Sequence, residues 1–407
     1  MRSNIFLAIH YLEIGGAETS LIGLLQALDY SKYDVDLFLY SHRGELIKYI
    51  PKEVNLLPEI PEYAQIERPL KEVVKDGYWR IAMARLWAKW RFRSYYKKKH
   101  PRDGSAIFGY VAKYVTPKLP SLRQFGEYDL AISYLTPHSI VLEKVAAKKK
   151  IAWIHTDYSR IDVDTELELP IWTGYDHIVS ISNEVTVSFL KAFPSLSEKI
   201  VMMENILSPG FVKGRADEVP ENEIRKEMPV RSGETTLLSV GRFSHQKNYD
   251  NVPEICRRIL ASGERVRWYL IGFGGDEPLI RRKIEEAGMQ DYVLILGKKE
   301  NPYPYIKACD IYVQPSRYEG NAVTVHEAQI LCKPVIITNY PTSQSQLTDG
   351  VDGVIVPMDN QGCAEGIVAL IHDHNKRKSI SDYLGNIEHS VPSDTIDALI
   401  ATTLNGE

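Results

Sequence analysis

DIYVQPSRYEGNAVTVHEAQILCKPVIITNYPTSQSQLTDGVDGVIVP, Asp310 to Pro357, packs a strand, a turn, a helix and a second strand into one short stretch. Ile311 to Val313 is an apolar strand that runs into the turn Pro315-Ser316-Arg317-Tyr318-Glu319-Gly320. Ala322 to Leu331 has the length and composition of a helix, and Lys333-Pro334 leads into a second strand, Val335 to Ile337. Such a βαβ unit crosses over right-handed, which makes its strands parallel and lays the helix on one face of the sheet. Ligands of parallel sheets bind at the carboxyl ends of the strands, where this turn lies. Glu319 comes just before the helix and Glu327 follows eight residues on, an E-x7-E spacing. The backbone N–H groups of Asn321, Ala322, Val323 and Thr324 are expected to be unpaired at the helix N-terminus and to point at an anion. Amides for phosphate and carboxylates for hydroxyls suit a sugar nucleotide.

The sequence upstream prepares the same end of the sheet. Thr235 to Val240 is a strand followed by Gly241-Arg242-Phe243-Ser244-His245-Gln246-Lys247, then by a helical period through Val252, Ile255 and Ile259. Arg242 and Lys247 can close on a diphosphate, arginine with its fork and lysine as a point charge. Arg265 to Ile271 is the next strand and ends in Gly272-Phe273-Gly274, but Glu277 stands where a dinucleotide fingerprint needs its third glycine. Tyr292 to Leu296 exits into Gly297-Lys298-Lys299, and Gly350 to Pro357 closes the sheet.

The first half repeats the scheme less regularly. Asn4 to His10 is a strand, followed by Gly15-Gly16-Ala17-Glu18 and a helix through Leu21, Leu24, Leu25 and Leu28. A glycine pair at that turn lets the backbone approach a ligand closely. Val35 to Tyr40, Tyr128 to Tyr134, Lys150 to Ile154 and Asp176 to Ser182 are further strands, with Ser182 placed to cap a helix. His155 follows the fourth of these five strands, where an imidazole can donate to a sugar hydroxyl or a developing phosphate charge. Asp157 is a candidate for binding or deprotonating an acceptor hydroxyl. Residues 204–233 are polar and turn-rich, as a linker would be.

PSRYEG, then HEA after five residues, then Cys332-Lys333-Pro334, resembles the signature of family 4 of the retaining nucleotide-sugar glycosyltransferases, which have the GT-B fold. The resemblance implies two Rossmann-like α/β domains with parallel sheets facing a central cleft. It implies that Glu319 contacts the donor sugar and that Glu327 holds the ribose hydroxyls. Arg242 and Lys247 are similar to the family's diphosphate clamp, and the turn at Gly272 lies beside the nucleotide. Lys298 belongs to a turn that resembles the base-binding one. Gly15 and Gly16 would face the donor phosphates and the acceptor, and His155 the transferred sugar. Thr338-Asn339-Tyr340-Pro341-Thr342-Ser343-Gln344 is similar to a variant turn of some UDP-sugar users. The expected reaction is retaining transfer of a hexose to a hydroxyl of a glycan or lipid-linked acceptor in surface polysaccharide assembly. A nucleotide-sugar epimerase of the same fold, or a non-catalytic sugar-nucleotide or glycan binder, is the alternative; a glycogen phosphorylase-like enzyme would need a longer chain and a pyridoxal site.

Composition sets the outer bounds. The 407 residues exceed one ordinary core, so two domains are expected. Their boundaries fall at 1–206 and 207–378, with a helix from about 379 to 407 crossing back onto the first. A net charge of −4 argues against a surface built for nucleic acid. No apolar run is long enough to span a bilayer and no secretory signal is evident, which points to a cytoplasmic chain on or near the inner face of the membrane. Cys256, Cys309, Cys332 and Cys363 lack metal-ligand spacing and read as reduced, buried thiols. No D-x-D cluster suits Mg²⁺, so neither metal nor cofactor is expected. Tyr78 to Arg102 carries nine Lys or Arg and no acid. On a helix Trp79, Met83, Leu86, Trp87 and Trp90 share one face, flanked by Arg80, Arg85, Lys89, Arg91 and Arg93. That stripe is either this domain's own core or a surface for an anionic membrane.

Overall fold

A computed structural model describes residues 2–13, 15–101, 103–159, 161–319, 322–387 and 393–405. The chain forms two compact units, Met1–Ile206 with Val391–Glu407, and Leu207–Ser390.

In the first unit β1 (Ser3–Ile9), β2 (Tyr33–Leu39), β3 (Asn55–Leu56), β4 (Glu127–Ser133), β5 (Ala146–Ile154), β6 (His177–Ser180) and β7 (Ile200–Met202) form one parallel sheet in the order β3-β2-β1-β4-β5-β6-β7. The order reverses between β1 and β4, so the loops leaving these two strands diverge and open a crevice between them. Ile5, Phe6, Leu7, Ala8 and Ile9 are fully buried. Covering both faces of a parallel sheet with helices and loops requires such unbroken apolar runs. Phe6 stacks with Phe38, and Phe38 meets Tyr63 edge-on, carrying the core across β1 and β2 to the helices beneath.

The second unit repeats the plan with six parallel strands, β8 (Thr235–Val240), β9 (Val266–Ile271), β10 (Val293–Gly297), β11 (Ile311–Gln314), β12 (Val335–Thr338) and β13 (Val354–Val356), in the order β10-β9-β8-β11-β12-β13. Its reversal lies between β8 and β11, whose register pairs Ile311 with Leu237 and Tyr312 with Leu238. The helix Val252–Ala261 buries Val252, Ile255, Cys256 and Ile259, the i, i+3, i+4, i+7 stripe of a helix packed on a sheet. The helix Asn360–His372 packs beside it through Cys363, Ala364, Ile367 and Leu370. Ser182 caps the helix Asn183–Ala192 by accepting from the Val185 amide. Cys256, Cys309 and Cys363 are buried free thiols, and Cys332 is half-buried in a left-handed conformation.

Three expectations are corrected. Residues 204–233 are not a linker: they form the helices Pro209–Ala216 and Glu221–Glu227, started at Ser208-Pro209 by a serine cap with proline in the first turn. The crossing back to the first unit comes later than 379, because the helix His374–Asn386 buries Ile380 and Leu384 in the second unit's core. The helix that returns is Ser393–Asn405. Finally, of the two readings open for the stripe Trp79, Met83, Leu86, Trp87 and Trp90, its being core is the one that falls. The helix Trp79–Lys99 buries Ile81, Ala82, Ala84 and Ala88 instead and leaves the stripe exposed.

Candidate functional site

The switch point of the second unit brings the β8 and β11 exits side by side, and their loops are laced together. The Arg317 amide donates to the Gln246 carbonyl, and the Asn248 side chain donates to the Pro315 carbonyl. The Arg317 guanidinium makes a two-pronged contact with Asp250 at 2.9 and 2.8 Å. Two parallel N–H···O bonds fix the mutual angle of the loops as well as their distance. Gly272 and Gly274 hold the third loop against the first. A Cβ at Gly272, at φ +150°, would lie 1.9 Å from the Gly241 carbonyl oxygen, and one at Gly274 2.2 Å from that of Phe243.

Glu319 is the centre of this arrangement. Its side chain is only 5% exposed, and Lys247 Nζ lies 2.7 Å from Oε1. Gln314 and Ser316 also donate to Oε1, and Gln246 donates to Oε2 at 3.0 Å. A buried carboxylate needs such a full set of donors to remain charged. On the β12 side, Thr342 donates to the Glu319 carbonyl and Thr338 to that of Ser316. Glu327 lies on the helix Val323–Ile330 that follows, where it accepts from the Tyr303 hydroxyl at 2.8 Å. Burial pushes its carboxyl up to about 7, against the Tyr303 hydrogen bond and the charge of Arg215.

The site therefore differs in detail from its sequence reading. Lys247 is paired with Glu319 rather than with Arg242 across an open clamp. Arg242 is exposed and has no hydrogen-bond or ion-pair partner among the described residues. The helix N-terminus is not bare either: the Ala322 amide donates to Gln346 Oε1 at 2.7 Å, and the other end of that side chain meets His326 Nε2. Asn321 lies outside the described residues, and Val323 is the half-buried first residue of the helix. Exposed Lys298 rests over the Phe273 ring, 5.5 Å from its centroid, while its neighbour Lys299 pairs with Glu227.

Several members of this site were missing from the sequence reading. Arg215, from the supposed linker, lies 5.7 Å over the Tyr303 ring and donates to the Glu300 carbonyl. The Ser208-Pro209 start signal was the clue that a helix there would carry it inward. Tyr340 is buried beside Glu319, its hydroxyl without a partner among the described residues. The charge of Glu319 adds to burial in raising its pKa.

The first unit holds its own cluster at the β1, β4 and β5 exits. His155 follows β5, its ring centroid 4.7 Å from that of Tyr134, and Tyr134 in turn shares a 2.9 Å hydrogen bond with Ser20 of the helix Gly16–Ala27. The Nε2 atom of His155 is buried without a partner among the described residues, and burial lowers its pKa to about 3. It is thus a neutral ring. Gly16 has nothing within 4 Å of where a Cβ would stand, whereas at Gly15 that position is 2.2 Å from the carboxylate of Glu18. Asp157 is engaged in its own turn, accepting from the Ser159 amide at 2.8 Å.

Residues 220–384 match the family glycosyl transferases group 1. The alpha-monoglucosyldiacylglycerol synthase of Streptococcus pneumoniae is 20% identical over 359 residues, 87% of this chain and 75% of that one. The Campylobacter jejuni N-acetylgalactosamine-N,N'-diacetylbacillosaminyl-diphospho-undecaprenol 4-alpha-N-acetylgalactosaminyltransferase is 26% identical over 145 residues, 35% of this chain and 39% of that one. Three further relatives are likewise matched over less than half of their own length. Among solved structures, Anabaena HepE in complex with UDP and glucose superposes with a TM-score of 0.65 at 16% identity over the whole of both chains. The group 1 match thus falls within the second unit, and the chain has the GT-B fold of the solved glycosyltransferases it resembles.

Proposed function

We propose that this protein is a retaining glycosyltransferase that moves a hexose from a UDP-sugar to a hydroxyl of a glycan or lipid-linked acceptor, at the inner face of the membrane during surface polysaccharide assembly. The observation that carries this reading is the buried Glu319, held by Lys247, Gln246, Gln314 and Ser316 in the turn that leads into the helix of buried Glu327. Glu327 takes the ribose hydroxyls and Glu319 orients the hexose. Lys247 exchanges Glu319 for the diphosphate as the donor arrives, and Arg242 closes from the exposed side. Lys298 and the turn at Gly272 line the nucleotide. Ala322 and Val323 offer their amides to the phosphates once Gln346 yields, and Gly16 leaves room for backbone approach in the first unit, while the space at Gly15 is taken by the Glu18 carboxylate.

In the transfer the C1–O bond to the diphosphate breaks and the acceptor oxygen bonds to C1 on the same face. The acceptor proton passes to the departing phosphate oxygen, so configuration is retained without a separate base. Two cations supply the charge that a metal ion supplies elsewhere, which makes the reaction metal-independent in this reading. His155, neutral, donates a hydrogen bond to the transferred sugar, and Asp157 binds the acceptor. Uracil as the base follows the UDP complex of Anabaena HepE, and the lipid-linked acceptor follows the diphospho-undecaprenol substrate named for the Campylobacter enzyme. Release of nucleoside diphosphate from a panel of UDP-, GDP- and ADP-sugars, with and without chelator, tests the reading. Lys247→Ala should lower turnover by about a hundredfold. Normal turnover and donor affinity in that variant, or no diphosphate released from any donor, would overturn it.

A further inference from the structure

The helix Trp79–Lys99 turns its heavy apolar side chains outward. Trp79 is 65% exposed, Met83 60%, Trp87 51% and Trp90 56%, and Leu86 completes the stripe. The small residues Ala82, Ala84 and Ala88 face inward with Ile81, so the helix is seated on the unit by its thin side. Arg85 fixes that orientation, donating to the carbonyls of Gln65 and Arg68. A helix held in this way cannot roll its tryptophans into the core. The stripe lines a groove of about 590 Å³ that Lys118 borders.

The charges around the stripe have one sign. Arg80, Lys89, Arg91, Arg93 and Lys97 are exposed and form no ion pair among the described residues, and the helix has no acid. By helical spacing Arg93 and Lys97 continue the stripe itself, and Arg80 and Lys89 flank it. Beside it a second groove gathers Arg91, Lys98, Lys99 and Lys113. Its acids, Asp164 and Glu166, lie at the start of the helix Thr165–Thr173, where Asp164 is taken up by the Tyr110 hydroxyl and the Leu167 amide.

We infer that this face docks on an anionic lipid bilayer, with Trp79, Met83, Leu86, Trp87 and Trp90 sunk to the headgroup boundary and the flanking lysines and arginines on the lipid phosphates. Tryptophan at the boundary and cations above it are what an interfacial helix needs. No helix among the described residues is long and apolar enough to cross a membrane, so the helix lies in the surface plane. A second copy of the chain fits poorly. A two-fold contact would set each copy's stripe, with its unpaired cations, against the same cations of the other, with no acid on the helix to answer them. The inference rests on this helix and not on the donor site, so either can fail while the other stands.

Flotation of the full chain with vesicles of phosphatidylcholine and phosphatidylglycerol, against phosphatidylcholine alone, is the test. The chain should float with the anionic vesicles, and brominated acyl chains should quench its tryptophan fluorescence. Arg80→Gln with Lys89→Gln and Arg93→Gln should weaken binding on the order of a hundredfold. Trp87→Ser with Trp90→Ser should cut the quenching by more than half, leaving only what Trp79 contributes. Both variants should keep the parent's melting temperature and UDP-sugar binding. A parent that does not float, or variants that float equally well, would overturn the inference. So would light scattering that shows a dimer lost in the Trp87→Ser, Trp90→Ser variant while vesicles go unbound.

Discussion

Glu327 shows how far burial can set one residue's behaviour. Its carboxyl is held up at about 7 from an ordinary 4.5, first by desolvation, with the Tyr303 hydroxyl and Arg215 opposing. The folded chain therefore keeps a proton that the unfolded chain has already released between those values. Stability falls as pH rises through that window and is level above it. Glu327→Gln keeps an acceptor for Tyr303 and removes the buried charge. It should match the parent at about pH 4 and exceed it at about pH 8 by up to roughly 3 kcal/mol in urea unfolding. A variant no more stable than the parent at the higher pH would show that ionisation there costs nothing. The ribose contact we propose needs the ionised form, so donor affinity in the parent should rise about tenfold from about pH 6 to about pH 8. That pH dependence should vanish in Glu327→Gln, which calorimetry at several pH values would show. Glu319 and Glu327 were legible because both belong to one local strand–turn–helix. Arg215 and Tyr340 were not, because neither segment reveals which neighbour it will pack against.

At the scale of the element, the three loops at the β8, β9 and β11 exits act as one body. Gly272 meets the Gly241 carbonyl where no side chain fits, and its φ of +150° is open only to glycine. Gly272→Ala should cost about 3 kcal/mol or more of the second unit's stability, because backbone must move on both sides. Denaturant unfolding monitored by Trp268, which is buried in that unit, would measure it. A loss under about 1 kcal/mol would mean that the loops yield more readily than their contacts indicate. The glycine was legible as a turn; its partner across the sheet was not, since β8 and β9 are joined through a helix of intervening sequence. The same holds for the cation pair. Arg242 and Lys247 are five residues apart in the chain, yet Lys247 answers to Glu319, a neighbour only because β8 and β11 pair.

For the whole molecule, the helix Ser393–Asn405 returns to the first unit after the chain has finished the second. Ile396, Leu399 and Ile400 are buried there, and Asp397 pairs with Lys32 at 2.5 Å. Three such side chains are worth roughly 5 to 8 kcal/mol of burial, comparable to the stability of a whole domain. A chain ending at Asn386 should therefore melt in two steps, with the first unit lowered and the second nearly unchanged. A single unshifted transition would show that the returning helix contributes little. Sequence alone determined that two α/β units follow each other, because strands buried on both faces must be apolar runs and their turns must carry glycine, proline and polar caps. It also determined which turns bear the acids and cations, since these are local in the chain. Only the tertiary structure decided that Gln346 takes the Ala322 amide at the start of the helix Val323–Ile330, that Lys247 belongs to Glu319, and that the tryptophans of the helix Trp79–Lys99 face water. That helix has a tryptophan stripe and an alanine stripe, both in helical period, and periodicity carries no sign. Packing chose the alanines because their small side chains let the helix approach closely while Arg85 reached the carbonyls of Gln65 and Arg68.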